Sequence, residues 1–162
     1  MKQALLVLVL GYVILLFDVT IFAAMQISYF RIEGILPLVI WYSFRQRSLE
    51  SIVVVILLAL IAGTFTYAST GIWIISLCIG YILSCYIYNQ IDNLTWYQDI
   101  LLFWFLNTVM IVILMFGTDS TDLVWPYGVI EALLLSILTP FWFYIFELLN
   151  DLFLIEENDK KI

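Results

Sequence analysis

Apolar residues in this chain come in long runs, broken at regular intervals by short polar stretches. Six runs can be marked, at about 4–25, 34–44, 51–67, 71–89, 98–117 and 124–145, followed by a mixed acidic segment to Ile162. A helix rises about 1.5 Å per residue, so a hydrocarbon layer about 30 Å thick takes about 20 residues to cross, with a range of about 17–25. All the runs but the second meet that length. The second, GILPLVIWYSF from Gly34 to Phe44, covers only about 16 Å. Lengthening it backwards takes in Arg31 and Glu33, so it is expected to be a short tilted span or a half-inserted partner of the first helix. The pattern predicts an all-α integral membrane protein, a compact bundle of about six transmembrane helices with short loops. It is a single domain over 1–162, with a short acidic tail from about 146.

Two neighbouring runs, from Ser51 to Tyr88, read as a transmembrane hairpin around the polar turn Tyr67–Gly71. In the first arm Ala59, Ala62, Gly63 and Thr66 fall within about 100° of one helical face, taking about 100° per residue. In the second, Ser76, Gly80 and Ser84 stand four apart as a stripe. Small residues at that spacing let helix backbones approach closely, a principal packing device inside lipid. Packing of these two helices on each other is the plain expectation; docking of a partner's helix on a stripe is the sharper one.

Composition fixes the class. The chain is 65% hydrophobic and 12% charged, with a mean hydropathy of +1.10. Water-soluble domains sit near 45–50% apolar and about 25% charged. The net charge of −7 argues against nucleic acid and against anionic head groups, although much of it lies in the last sixteen residues. Cys78 and Cys85 fall on one side of one helix, nearly opposite the Ser76/Gly80/Ser84 stripe. They lack CxxC spacing and read as small hydrophobes, not as a disulfide or metal pair. The N-terminal run resembles a signal peptide, but without a convincing small-x-small cleavage site it reads as a retained first helix.

Lys and Arg favour the cytoplasmic side. Six spans with the N-terminus inside place Lys2, Arg45, Arg47, Lys160 and Lys161 there and Arg31 outside; five spans exchange Lys2 and Arg31. The counts tie, both arrangements put the C-terminus in the cytoplasm, and six spans is the reading adopted. Trp41, Tyr42, Tyr86, Tyr88, Trp96, Tyr97, Trp142 and Tyr144 would then lie near the inner interface, and Tyr67, Trp73, Trp125 and Tyr127 near the outer one. Such aromatic belts report depth, not chemistry. Asn93-Leu94-Thr95 matches the glycosylation pattern by chance, being on the cytoplasmic side.

Polar groups inside the predicted spans are the candidate chemistry: Asp18, Asn107 and Glu131. A mid-membrane carboxylate costs about 2.5–3.5 kcal/mol on insertion scales, so it is a functional hypothesis by default. Asp18 and Glu131 are expected to share a depth in the outer leaflet, about 9–10 Å from the outer helix ends, with Asn107 near the midplane. They would form a polar pocket, contact a partner's helix, or stand as protonated or hydrated acids near the interface with Arg31 reaching towards one of them. Enzyme readings have little to stand on: without histidine there is no imidazole base and no HExxH zinc site, and there is no Gly-rich phosphate loop. No cofactor or metal is expected. In the tail, Phe146, Leu149, Leu152 and Phe153 share one side, while Glu147, Asp151, Glu156, Glu157 and Asp159 oppose binding to anionic lipid.

From Gly34 to Gly71, and in its last helix, the chain resembles the rod shape-determining MreD family of bacterial cell elongation. Pro37 opens the second run as that family's proline does, followed by Leu38–Tyr42 and the basic turn Arg45-Gln46-Arg47. The spacing of Gly63 and Gly71 is similar to the family's glycine–acid–glycine stretch, and Ile137–Pro140 with the following aromatics to its final helix. Where the family places an aspartate between those glycines this chain has Tyr67, which puts that acid's role here in doubt. The resemblance implies a non-catalytic, multi-pass subunit of the bacterial cytoplasmic membrane. It would sit beside a single-pass MreC-like protein, linked through it to MreB filaments and to the RodA/transpeptidase pair that builds peptidoglycan. The outline is also similar to the substrate-binding subunit of an energy-coupling-factor vitamin transporter, where Asp18, Asn107 and Glu131 would suit an amine-bearing ligand. That class's Ala-x-x-x-Ala docking motif is missing from the first helix, which has only Ala23-Ala24.

Overall fold

The computed structural model describes residues 2–25, 34–46, 48–65, 69–90, 96–116 and 121–158. Among them the regular structure is entirely helical: α1 (Lys2–Met25), α2 (Ile35–Arg45), α3 (Leu49–Phe65), α4 (Thr70–Gln90), α5 (Trp96–Met115) and α6 (Thr121–Asn158). Segments in α1, α4, α5 and α6 are long and apolar enough to cross a membrane, whereas Ile35–Arg45 and Glu50–Phe65 are shorter apolar helices. Tyr67, Arg31, Glu33 and Asn93 lie outside the described residues.

The short helix α2 is the axis of the bundle. It packs against α1, α4, α5 and α6, while α1, α3, α4, α5 and α6 follow one another around it. Every residue from Ile35 to Ser43 is buried, none of the apolar ones more than 3% exposed. A helix that is apolar all round has no face to offer water and belongs in an interior. Pro37 is tolerated because it lies in the first turn, where its missing N–H would have had no intrahelical acceptor. The length that made this segment a poor span thus follows from its place inside a ring of longer helices.

This location turns Trp41 and Tyr42 into the bundle, about one turn from the end of α2. Both are buried in the bundle, Trp41 against Phe146 with ring centroids 5.6 Å apart, and Tyr42 against Tyr81 at 6.3 Å. Trp73 is likewise buried. Tyr86, Tyr88 and Tyr144 remain exposed on the perimeter.

Small residues set the helix spacings. Gly11 on α1 leaves room for Leu58 of α3 and Leu38 of α2, and Gly63 for Thr70 at the start of α4, whose Cα lies 2.8 Å from where a glycine-63 Cβ would stand. Ala59 and Ala62 on the same helix are fully buried. The α4 stripe turns elsewhere. Gly80 faces Met110 of α5, and the Ser76 hydroxyl donates to the Met110 carbonyl at 2.9 Å. So α3 and α4 pack together as expected, but Ser76 and Gly80 serve the α4–α5 contact.

The last helix is longer than the final apolar run. α6 continues without a break to Asn158, and Phe146 and Asn150 are buried in the bundle. The region from 146 to Asn150 is therefore packed structure, whereas Leu152 and Phe153, placed by sequence on the same side as Phe146, are exposed. Pro140 lies exposed in mid-helix.

Candidate functional site

The polar residues set within the apolar helices are held by different helix pairs. Asp18 of α1 accepts the backbone N–H of Gly34 at 3.2 Å, at the head of α2. A carboxylate there satisfies one of the amide donors a helix leaves open at its start and faces the positive end of its dipole. The contact requires close approach: a Cβ on Gly34 would meet Ile14 at 2.8 Å and Trp142 at 3.5 Å. Asn107 of α5 is fully buried, and its Nδ2 donates to Thr139 Oγ1 of α6 at 3.4 Å. The Thr139 hydroxyl in turn donates to the Leu135 carbonyl at 2.7 Å. Asn107 Oδ1 and Trp104 Nε1, one turn away on the same helix, are buried without a hydrogen-bond partner among the described residues. Glu131 lies half-buried on α6, about 12 Å along the helix from Thr139. Asp18 and Asn107 thus have different hydrogen-bond partners, the one at Gly34 and the other at Thr139.

A richer polar layer closes the other end of the bundle, at residues whose meeting the sequence did not indicate. Gln46, just past α2, donates through Nε2 to Gln3 Oε1 at 2.6 Å, and Gln3 Nε2 donates to Asn150 Oδ1 of α6 at 3.1 Å. The Gln46 carbonyl accepts the Tyr81 hydroxyl of α4 at 2.6 Å. Beside this chain of bonds, Arg45 forms an ion pair with Glu147 of α6, with side chains 43% and 38% exposed. Arg45 Nε reaches Glu147 Oε1 at 3.1 Å, and the same oxygen accepts from the buried Trp41 Nε1 at 3.3 Å. The layer ties the start of α1, the end of α2 and α6 to one end of the molecule, so α1 and α2 run out and back.

The remaining candidates are packing elements. Ser84 is buried and donates to the Gly80 carbonyl of its own helix at 2.7 Å. Cys78 and Cys85 are half-buried thiols outside any disulfide among the described residues, the latter with its thiol 3.7 Å from the Ser43 carbonyl of α2. Among the described residues, no three of His, Cys, Asp and Glu come together as a metal ion requires. Compared with protein-family models, with curated proteins and with solved structures, the chain matches none.

Proposed function

We propose that the chain is a non-catalytic scaffold subunit of the bacterial cell-elongation machinery, holding an MreC-like single-pass protein and, through it, MreB filaments and the RodA/transpeptidase pair. One observation supports this over a ligand-binding role: polar groups within the spans are engaged in joining the chain's own helices. Asp18 holds the head of α2, Asn107 joins α5 to α6 and Ser76 joins α4 to α5. That leaves the perimeter for recognition, where close packing is the available source of affinity in lipid. The orientation that goes with this reading is multi-pass in the bacterial cytoplasmic membrane, with both ends inside. It agrees with the positive-inside rule, since Arg45 belongs to the polar layer that also holds Gln3 and Asn150.

The buried, unpartnered Asn107 Oδ1 and Trp104 Nε1 favour a second reading, a substrate-binding subunit of a vitamin transporter, because a ligand would use both a donor and an acceptor there. Co-purification of the full chain with an MreC-like protein, set beside vitamin titration of the purified chain, separates the two. Retention of the partner without vitamin binding supports the scaffold; nanomolar vitamin binding without it overturns the scaffold. Asp18→Leu and Glu131→Leu are expected to impair assembly while leaving membrane insertion intact, and wild-type assembly by both would remove these acids from the argument.

A further inference from the structure

Neighbouring outer helices are joined through a glycine at every interface but one. Among the described residues, Gly11 of α1 lets in Leu58 of α3, Gly63 of α3 lets in Thr70 of α4, Gly80 of α4 lets in Met110 of α5, and Gly128 of α6 lets in Met115 of α5. No described glycine of α6 or α1 meets the other helix in this way, since Gly128 faces α5 and Gly11 faces α3 and α2. The polar bonds divide similarly. Ser76 ties α4 to α5 and Asn107 ties α5 to α6 within the apolar segments, whereas Gln3 and Asn150 tie α1 to α6 in the polar layer at the bundle's end. Where close backbone approach is the source of cohesion, the α6–α1 join is the weakest in the ring.

Behind that join lies α2. Gly34, Leu38, Trp41 and Arg45 follow the helical repeat along one of its faces. A Cβ at Gly34 would meet Ile14 of α1 and, on the other side, Trp142 of α6. Leu38 lies against Gly11 of α1, Trp41 packs on Phe146 and bonds Glu147 of α6, and Arg45 pairs with Glu147. The stripe therefore runs between α1 and α6. Tyr42, Ser43 and Phe44, off this stripe, reach Tyr81, Cys85 and Tyr88 of α4 instead. Beside the stripe Trp142 stacks on Phe146, with ring centroids 5.6 Å apart and planes 23° apart, so aromatic side chains of α6 cover what backbone packing does not.

We propose that the α6–α1 seam is a lateral gate: α1 pivots on its Gly11–Leu58 contact with α3, the Trp142–Phe146 pair is the shutter, and opening presents the Gly34–Leu38–Trp41 face of α2 to the bilayer. Opening breaks the Gln3–Asn150 and Asp18–Gly34 bonds, and closing remakes both. The α3–α4, α4–α5 and α5–α6 joins stay packed throughout. The bundle thus has a closed state, the one described above, and an open one of low population. The gate goes beyond the scaffold reading and does not depend on which partner the chain serves.

The test is the rate at which a lipid-soluble maleimide labels a single buried thiol in the full chain in vesicles, with Cys78 and Cys85 replaced by alanine. Leu38→Cys places the thiol behind the seam; Leu106→Cys places it on α5, which is clasped by the Gly80 and Gly128 contacts on either side. Both leucines are fully buried. When closing outruns the reaction, labelling reports the population of the open form. Leu38→Cys is expected to label at least about tenfold faster than Leu106→Cys, and Trp142→Ala to speed the first about tenfold while leaving the second unchanged. Equal rates at the two thiols, or a Trp142→Ala effect that is absent or the same at both, would overturn the gate. Should a variant fail to fold, the native side chains decide. With 5-fluorotryptophan in the otherwise unaltered chain, fluorine relaxation dispersion should show exchange at Trp142 and none at the buried Trp73; exchange at neither, or equally at both, removes the gate.

Discussion

Gly80 allows the sharpest test of how the bundle is held. A Cβ added there would stand 2.7 Å from Met110 Cγ and 3.0 Å from Met110 Cε, with the sulfur closer still. Met110 is fully buried and its backbone carbonyl is held by Ser76, so α5 cannot drift away without losing that bond. Displacing only the far end of the methionine would be cheap, but here the middle of the side chain is struck. Overpacking of this kind costs about 1–3 kcal/mol, while replacing glycine by alanine in a helix returns about 1 kcal/mol. Gly80→Ala should therefore destabilise by about 0–2 kcal/mol, and Gly80→Leu by about 3 kcal/mol or more. At about 2–4 °C per kcal/mol for a chain of this size, Gly80→Leu should lower the melting temperature in detergent by about 6–12 °C. Gly71, whose added Cβ would meet nothing within 4 Å, is the control, and Gly71→Ala should melt with the wild type or slightly above it. A double-mutant cycle of Gly80→Ala with Met110→Ala should give a favourable coupling of about 1 kcal/mol, because both changes act on the same space. Additive effects, or a Gly80→Leu protein that melts with the wild type, would refute the α4–α5 contact.

Three further outcomes follow from the hydrogen bonds. Asp18→Leu should cost about 1–3 kcal/mol in thermal unfolding by leaving the Gly34 N–H without an acceptor, and Asp18→Asn, which keeps an oxygen there, distinctly less; equal effects would separate Asp18 from α2. Glu147→Ala should destabilise more than Arg45→Ala. The half-exposed ion pair is worth less than about 1 kcal/mol, but the glutamate change also strands the buried Trp41 Nε1 at about 1–3 kcal/mol. Equal melting temperatures for the two variants would contradict this. Asn107→Leu should lie within about 1 kcal/mol of the wild type, since it removes a weak bond together with an unsatisfied buried acceptor, and a large loss in the same melting assay would mean Asn107 has a partner of consequence.

Much of the helical organisation is legible in the sequence, because runs of apolar residues bounded by polar turns leave few other choices for a chain this hydrophobic. The interior position of α2 was harder to read. Its shortness pointed to a partial span, although the absence of any polar face from Ile35 to Tyr42 is the signal of a helix enclosed on all sides. The stripe at Ser76 and Gly80 announces close packing but not the identity of the neighbour, since any helix could fill it. Arg45 and Glu147 are 102 residues apart in the chain, and each looked like an ordinary surface charge, one in a basic turn and the other in an acidic tail. The order in which helices surround α2 brings them together, and that order is not written in any local pattern. Asp18 was recognisable as exceptional, but its acceptance of a backbone amide across to another helix depends on how α1 and α2 meet.

A helix of eleven residues with no lipid-facing side cannot hold itself in the bilayer, and this constrains how the protein is made. When α2 leaves the ribosome, the walls that will enclose it on the α4, α5 and α6 sides have not yet been synthesised. On the membrane reading it would wait in the interface or in the shelter of the insertion machinery until the final helix arrives and Phe146 packs on Trp41. A chain cut short before that point would strand its central helix with nothing around it, and membrane proteases would be expected to clear such a fragment quickly.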